Sequence, residues 1–180
     1  MLANNPEVCI HGAGGSAIAL TIHFCNIEKS RCPAKIFVTD NNEKRLKHME
    51  KVHKQMKYQI PIEYILCRTA KKNNNIVEKL REGAIVINAT GLGKDSPGSP
   101  ITDAVVFPKN GLVWDFNYRG DLMFLDQAKA QQESRNLTIH DGWNYFIHGW
   151  LSVISEVFNI IVPSEGPEFQ ELSIIAANLR

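Results

Sequence analysis

Val8-Cys9-Ile10-His11-Gly12-Ala13-Gly14-Gly15-Ser16-Ala17 is the stretch that decides the fold. A short apolar run, Glu7 to His11, ends in glycines and passes at once into a helical pattern, Ser16 to Phe24. A strand that turns through glycine into a helix start is the entry that holds a dinucleotide pyrophosphate. Gly12 permits the tight turn, and Gly14 lets phosphates approach the backbone. Ala17 is small enough for the helix to pack on the strand. The free N–H groups of the helix start face the anion.

Outward from this turn, apolar runs alternate with helical patterns. Strand-like runs are Val8–His11, Lys35–Thr39, Glu63–Leu66, Ile85–Asn88, Gly111–Asp115 and Leu137–His140. Helical patterns lie at Ser16–Asn26, Glu43–Met56, Ile76–Arg81 and Leu122–Arg135, and a last long one runs from Trp143 to about Ile160. This alternation predicts a parallel sheet with helices on both faces. Right-handed crossovers then make a three-layer, Rossmann-like, doubly wound α/β sheet of six strands in the order 3-2-1-4-5-6 the economical topology. The division expected is a dinucleotide-binding domain over 1–160 and a tail over 161–180. In that tail an apolar-periodic stretch, Phe169–Leu179, predicts a terminal helix.

Bulk composition narrows the class. The chain has 180 residues, 44% hydrophobic and 22% charged, with a net charge of +1, which describes a globular domain with a substantial core. No basic field argues for nucleic acid. The Lys and Arg around 44–57 and 68–81 are mixed with Glu and read as solvated helix faces. Cys9, Cys25, Cys32 and Cys67 form no CxxC pair and read as reduced thiols. No apolar run reaches the length of a membrane span, and no signal peptide opens the chain, so the expected compartment is the cytoplasm. No metal-ligand spacing appears among the histidines and cysteines.

Four further strand ends carry chemistry. Asp40 closes the second strand; an acid there can accept hydrogen bonds from the adenosine ribose hydroxyls and repels a 2′-phosphate. Its other reading is a helix N-cap, a job that Asn41 or Asn42 could take as well. Lys44 and Arg45 stand close by, and either could meet a phosphate. Ile87-Asn88-Ala89-Thr90-Gly91-Leu92-Gly93 ends a buried strand in small residues that leave room for a flat ring. Trp114-Asp115-Phe116-Asn117-Tyr118 ends another, with Phe116 expected to face the cofactor. Asp141-Gly142-Trp143 leads into a helix. In a parallel sheet these ends gather at one edge.

Gly12 to Ala17, Asn88-Ala89-Thr90 with Leu92-Gly93, Asp115 with Tyr118, and Asp141-Gly142 before a helix together resemble the shikimate/quinate dehydrogenases. The resemblance is to their C-terminal NAD(P)-binding domain and covers about residues 7 to 160. It implies hydride transfer between a nicotinamide cofactor and a cyclic hydroxy acid. It also implies that Gly12 to Ala17 hold the pyrophosphate, that Asn88, Ala89 and Thr90 flank the nicotinamide, that Gly142 sits near the ring and that Tyr118 faces substrate. Two departures stand out. Members using NADP carry Asn-Arg-Thr where this chain has Asp40, Asn41 and Asn42, which favours NAD over NADP. A substrate-reaching glutamine is matched by Gly149, next to His148.

In the family the catalytic lysine and aspartate belong to an N-terminal substrate domain, for which Met1 to Pro6 leave no room. The expectation is therefore an NAD-binding domain without a catalytic residue of its own, incomplete as an enzyme when alone. His148, Lys94 and Asp95 read as packing or surface groups and His11 as a structural one. The competing reading is a stand-alone, non-catalytic NAD-binding module. A lost substrate domain predicts an apolar patch at Phe146, Trp150 and Phe169, through which two copies could also pair as a homodimer.

Overall fold

The computed structural model describes residues 5–56 and 60–178. Six parallel strands form one sheet: β1 (Glu7–His11), β2 (Lys35–Asp40), β3 (Ile62–Leu66), β4 (Ile85–Asn88), β5 (Leu112–Asp115) and β6 (Thr138–His140). Their order is β3-β2-β1-β4-β5-β6, as the alternation predicts.

Alternate residues of β1 feed two separate cores. Val8 and Ile10 pack with Ala17 and Phe24 of α1 (Gly15–Asn26) and with Leu46 and Met49 of α2 (Glu43–Lys54). Cys9 faces the other way, toward Val77 of α3 (Ala70–Val77) and Phe124, Leu125 and Ala128 of α4 (Met123–Lys129). Burial on both faces is why the central strands are continuous apolar runs. Cys9 and Cys67 are buried, and burial pushes both thiols above their usual range.

Helix boundaries depart from the sequence pattern in three places. The expected Ile76–Arg81 helix is instead α3, six residues earlier. Its inward face is polar: Asn73 Nδ2 donates to Pro100 O at 2.8 Å and Asn74 Nδ2 to Thr102 Oγ1 at 2.6 Å. Leu122–Arg135 is two pieces, α4 and α5 (Gln132–Arg135). The break falls at Gln131, whose side chain accepts from Phe107 N and donates to Val105 O. The tail helix α7 (Gly166–Ala177) starts before Phe169, with Pro167 in its first turn, where proline is favoured. The expected end of that helix, Leu179, lies outside the described residues, as do Met1 to Asn4. The long helix α6 (Trp143–Phe158) buries only Ile147 fully.

Candidate dinucleotide site at the carboxyl edge of the sheet

Gly12 makes the first turn and has no room for a side chain. Its φ is +105°, its N–H donates to Thr39 O at 2.6 Å, and an added Cβ would lie 2.7 Å from Ala89 O. The next two glycines are the opposite case. A Cβ on Gly14 or Gly15 would meet nothing within 4 Å. Gly14 is the N-cap of α1; no side chain caps that helix and its first turn carries no acid. The start of α1 therefore presents its N–H groups over open space, the condition for anion binding. Ala17 is fully buried on β1's side of the helix, where only a small residue fits.

Asp40 ties this turn to β2. Its Oδ2 accepts from Ala13 N at 2.8 Å and its Oδ1 from Asn42 N at 2.8 Å. The N-cap of α2 is Asn42, whose side chain accepts from Lys44 N, so Asp40 is not the cap. Asp40 is 8% exposed, and that small exposure faces the cleft.

The cleft measures about 440 Å³ and opens where β1 and β4 part. That is the switch point at which such sheets bind ligands. Gly12, Gly14, Asp40 and Asn41 line one side, and Ala89, Thr90, Gly91 and Leu92 the other. Several lining residues escaped the sequence pattern. Arg68 and Thr69 follow β3 and belong to the same edge by the strand-end rule; with Arg45 of α2, Arg68 gives the cleft two arginines. Asn73, Ser99 and Pro100 form a wall where α3 grips the loop after β4.

The Thr90–Leu92 turn is held by side chains. Asn88 Oδ1 accepts from Thr90 N at 3.0 Å and from Thr90 Oγ1 at 2.6 Å, and Leu92 N donates to Thr90 Oγ1 at 3.2 Å. Asn88 Nδ2 donates to Asp115 Oδ2 at 3.1 Å. Asp115 Oδ1 accepts from Asn117 N at 2.8 Å, and Asn117 Nδ2 donates to Leu92 O at 3.0 Å. Asp115 is fully buried, and its pKa is pushed up to about 6, burial outweighing these donors while Asp141 adds repulsion.

Thr39, His11, Asn88 and Asp115 occupy adjoining register positions on four neighbouring strands. They make a buried polar row beneath the cleft. His11 Nδ1 pairs with Thr39 Oγ1 at 2.9 Å, Nε2 has no partner among the described residues, and burial lowers the imidazole pKa to about 4.

Gly142, Phe116 and Tyr118 lie on the β5–β6 side, outside the cleft lining. Gly142 N donates to Asn117 O at 3.0 Å, and a Cβ there would overlap the Phe116 carbonyl. Phe116 is buried and stacks on Tyr145 at 4.7 Å. Tyr118 stacks on Phe146 at 4.0 Å, with Lys94 Nζ 6.0 Å and Arg119 Cζ 5.7 Å from its ring centre.

From Tyr118 an apolar stripe continues along α6 through Trp143, Phe146, Trp150, Val153 and Val157, alternating steps of three and four residues. Trp150 is 54% exposed and Val157 is 70% exposed. Phe146 and Phe169 are half-buried, the latter stacked on His148 at 4.3 Å. Lys94 pairs with Asp95 at 3.3 Å. Among the described residues no group of three His, Cys, Asp or Glu could hold a metal ion, and no helix is long and apolar enough to cross a membrane.

The strand order, the helices on both faces and the glycine turn at the switch point define a Rossmann-like α/β fold. No protein-family model and no curated protein matches the chain by sequence. Solved structures match it by shape. The shikimate 5-dehydrogenase of Listeria monocytogenes, in complex with shikimate and NAD, superposes with a TM-score of 0.66 at 15% identity, over 94% of this chain and 56% of that one. Shikimate dehydrogenase 1 of Peptoclostridium difficile gives 0.65 at 14% identity, over 99% and 56%. A chorismate mutase/shikimate 5-dehydrogenase fusion protein of Clostridium acetobutylicum gives 0.63 at 15%, over 99% and 57%. The likeness is one of fold. The chain spans a little over half the length of these structures.

Proposed function

We propose that this chain is the dinucleotide-binding domain of a shikimate/quinate dehydrogenase-like oxidoreductase and that it holds NAD in preference to NADP. The observation that carries the reading is the uncapped start of α1, with Gly14 lining the cleft at the switch point and open space where its Cβ would be. In this reading Gly12 to Ala17 receive the pyrophosphate, and Asp40, with Asn41 and Asn42, meets the adenosine ribose. Asn88 to Leu92, Phe116 and Gly142 shape the nicotinamide end, and Tyr118 faces substrate. The cofactor, when bound, would accept the hydride in its oxidised form and donate it in its reduced form; the chain's own part is to bind and orient it. Asp40 supports NAD, because a carboxylate repels a 2′-phosphate. Arg45 and Arg68 work against that preference and moderate it.

The acid–base group that hydride transfer to a carbonyl requires would come from a substrate-binding unit seated on the α6 stripe. The matched structures' greater length and the exposure of Trp150, Val153 and Val157 support that partner. A second copy of this chain on the same stripe would show instead as a doubled mass in light scattering.

Titrating NADH at pH 7.5 and following its fluorescence tests the reading. Saturable enhancement is expected; none at millimolar NADH sinks it. With NAD and shikimate or quinate, the chain alone is expected to show little absorbance change at 340 nm (a region set by the reduced nicotinamide). Ready turnover would place the acid–base group on this chain.

A further inference from the structure

The Thr90–Leu92 turn depends on which way one buried carboxamide points. Asn88 offers its oxygen to Thr90, receiving both the backbone N–H and the hydroxyl, and its nitrogen to Asp115. The two ends of a carboxamide are nearly isosteric, so its orientation is set by its partners. On the Thr90 side the backbone N–H is a donor and requires the oxygen. On the far side, among the described residues, only Asp115 Oδ2 and, at 3.4 Å, Leu92 O receive the nitrogen. Asp115 also orients the second amide of the turn, because its Oδ1 holds the backbone of Asn117, whose Nδ2 donates to Leu92 O.

We propose that Asp115 is the positioning residue of the Thr90–Leu92 turn: as a carboxylate it fixes the Asn88 carboxamide and so presents this turn to the dinucleotide. The proposal rests on the dinucleotide reading above and adds to it a residue that lies outside the cleft. A proton on Asp115 Oδ1 would face the Asn117 N–H; on Oδ2 it faces Asn88 Nδ2, donor against donor. Rotation of the carboxamide relieves that conflict but turns Nδ2 toward Thr90 N–H and removes the bond that closes the turn. The groups that act on Asp115 come from several elements: Asn88 on β4, Asn117 after β5 and Asp141 after β6, which raises its proton affinity. His11 on β1 lies one register place beyond Asn88 and is uncharged above about pH 4. The protonation falls near pH 6, so the turn is locked at neutral pH and released in mild acid.

The test is NAD⁺ affinity by calorimetry from pH 5 to 8, for the wild-type chain and for Asp115→Asn. If only the ionised form binds, the wild-type affinity falls about tenfold from pH 7 to pH 5. Asp115→Asn is expected to bind weakly and with no pH dependence across that range. A variant that binds like wild type at pH 7.5, or that keeps the wild-type profile, overturns the proposal.

Should Asp115→Asn fail to fold, amide NMR of the wild-type chain replaces it. The Thr90 N–H and the Asn88 side-chain N–H₂ should then titrate together with a midpoint near 6. Independent or absent titration refutes the lock. If NAD⁺ does not bind at any pH, the dinucleotide reading fails. The co-titration still decides the role of Asp115 in the turn.

Discussion

The two halves of the sheet solve the same problem with the same device, and they use it differently. At the end of β2, Asp40 Oδ1 takes the N–H two residues on, from Asn42, and Oδ2 crosses to the loop after β1. At the end of β5, Asp115 Oδ1 takes the N–H two residues on, from Asn117, and Oδ2 crosses to the end of β4. Each aspartate closes a turn with one oxygen and ties it to the neighbouring strand with the other. Asp40 does so at the cleft wall and keeps a face toward the cleft. Asp115 does so fully buried, where the charge is expensive and the proton affinity rises. Position along the edge therefore decides whether the clamp can also be a contact.

The sharpest way to break the parallel is through the glycines. Gly12→Ala should cost about 4 kcal/mol in urea unfolding, combining left-handed strain with overlap on Ala89 O. Gly142→Ala, at the matching turn of the second half, should cost about 3 kcal/mol by overlap on the Phe116 carbonyl alone. Gly14→Ala, in open space, should leave stability within about 1 kcal/mol yet weaken NAD binding. A stable variant with intact binding would remove Gly14 from the cradle.

The clamps themselves come next. Asp40→Asn deprives one of two backbone donors of its carboxylate partner and should cost about 1–2 kcal/mol. It should also shift the NAD⁺-to-NADP⁺ affinity ratio toward NADP⁺, because Arg45 and Arg68 then stand unopposed. An unchanged ratio in paired titrations would reduce Asp40 to a clamp of the glycine loop.

The pH dependence of stability separates the halves further. The Asp115 pKa is raised on folding from 3.8 to about 6, so the native state holds the extra proton and its contribution is lost as pH rises through that window. The His11 pKa is lowered from 6.5 to about 4, so the unfolded state holds the extra proton and stability is lost as pH falls through that window. Between pH 4 and 6 the two slopes oppose each other. His11→Asn should tilt the curve so that stability gains about 1 kcal/mol per unit of acidification relative to wild type. Asp115→Asn should tilt it the other way. Parallel curves in denaturant titrations would dissolve the pairing.

The smallest effect is the cap. Asn42→Ala should cost about 1 kcal/mol; at the start of α6 the corresponding side chain is Asp141, whose Oδ1 accepts from Trp143 N at 3.1 Å.

The sheet and the glycine and Asn-Ala-Thr walls of the cleft were legible in the sequence because they rest on patterns the chain displays locally. Buried parallel strands are apolar runs, and their ends are marked by glycine, asparagine and aspartate. What escaped was set by tertiary partners. The Asn73 and Asn74 face of α3 is polar because it bonds the loop at Pro100 and Thr102, so it shows no apolar period. The break after α4 is set by Gln131 gripping Val105 and Phe107 from a distance. Arg68 and Thr69 needed only the rule that every strand end reaches the same edge. The role of Asp115 beneath Asn88 needed the register, which no single stretch of sequence contains.

The buried polar row has a calorimetric consequence. At pH 5 an unfolded chain carries His11 charged and Asp115 ionised. The folded chain carries His11 neutral and Asp115 largely protonated. Folding thus hands one proton from an imidazole to a carboxyl group across the width of three strands, with none exchanged with the solvent. Through this pair, the heat of unfolding at that pH is independent of the buffer's own heat of ionisation.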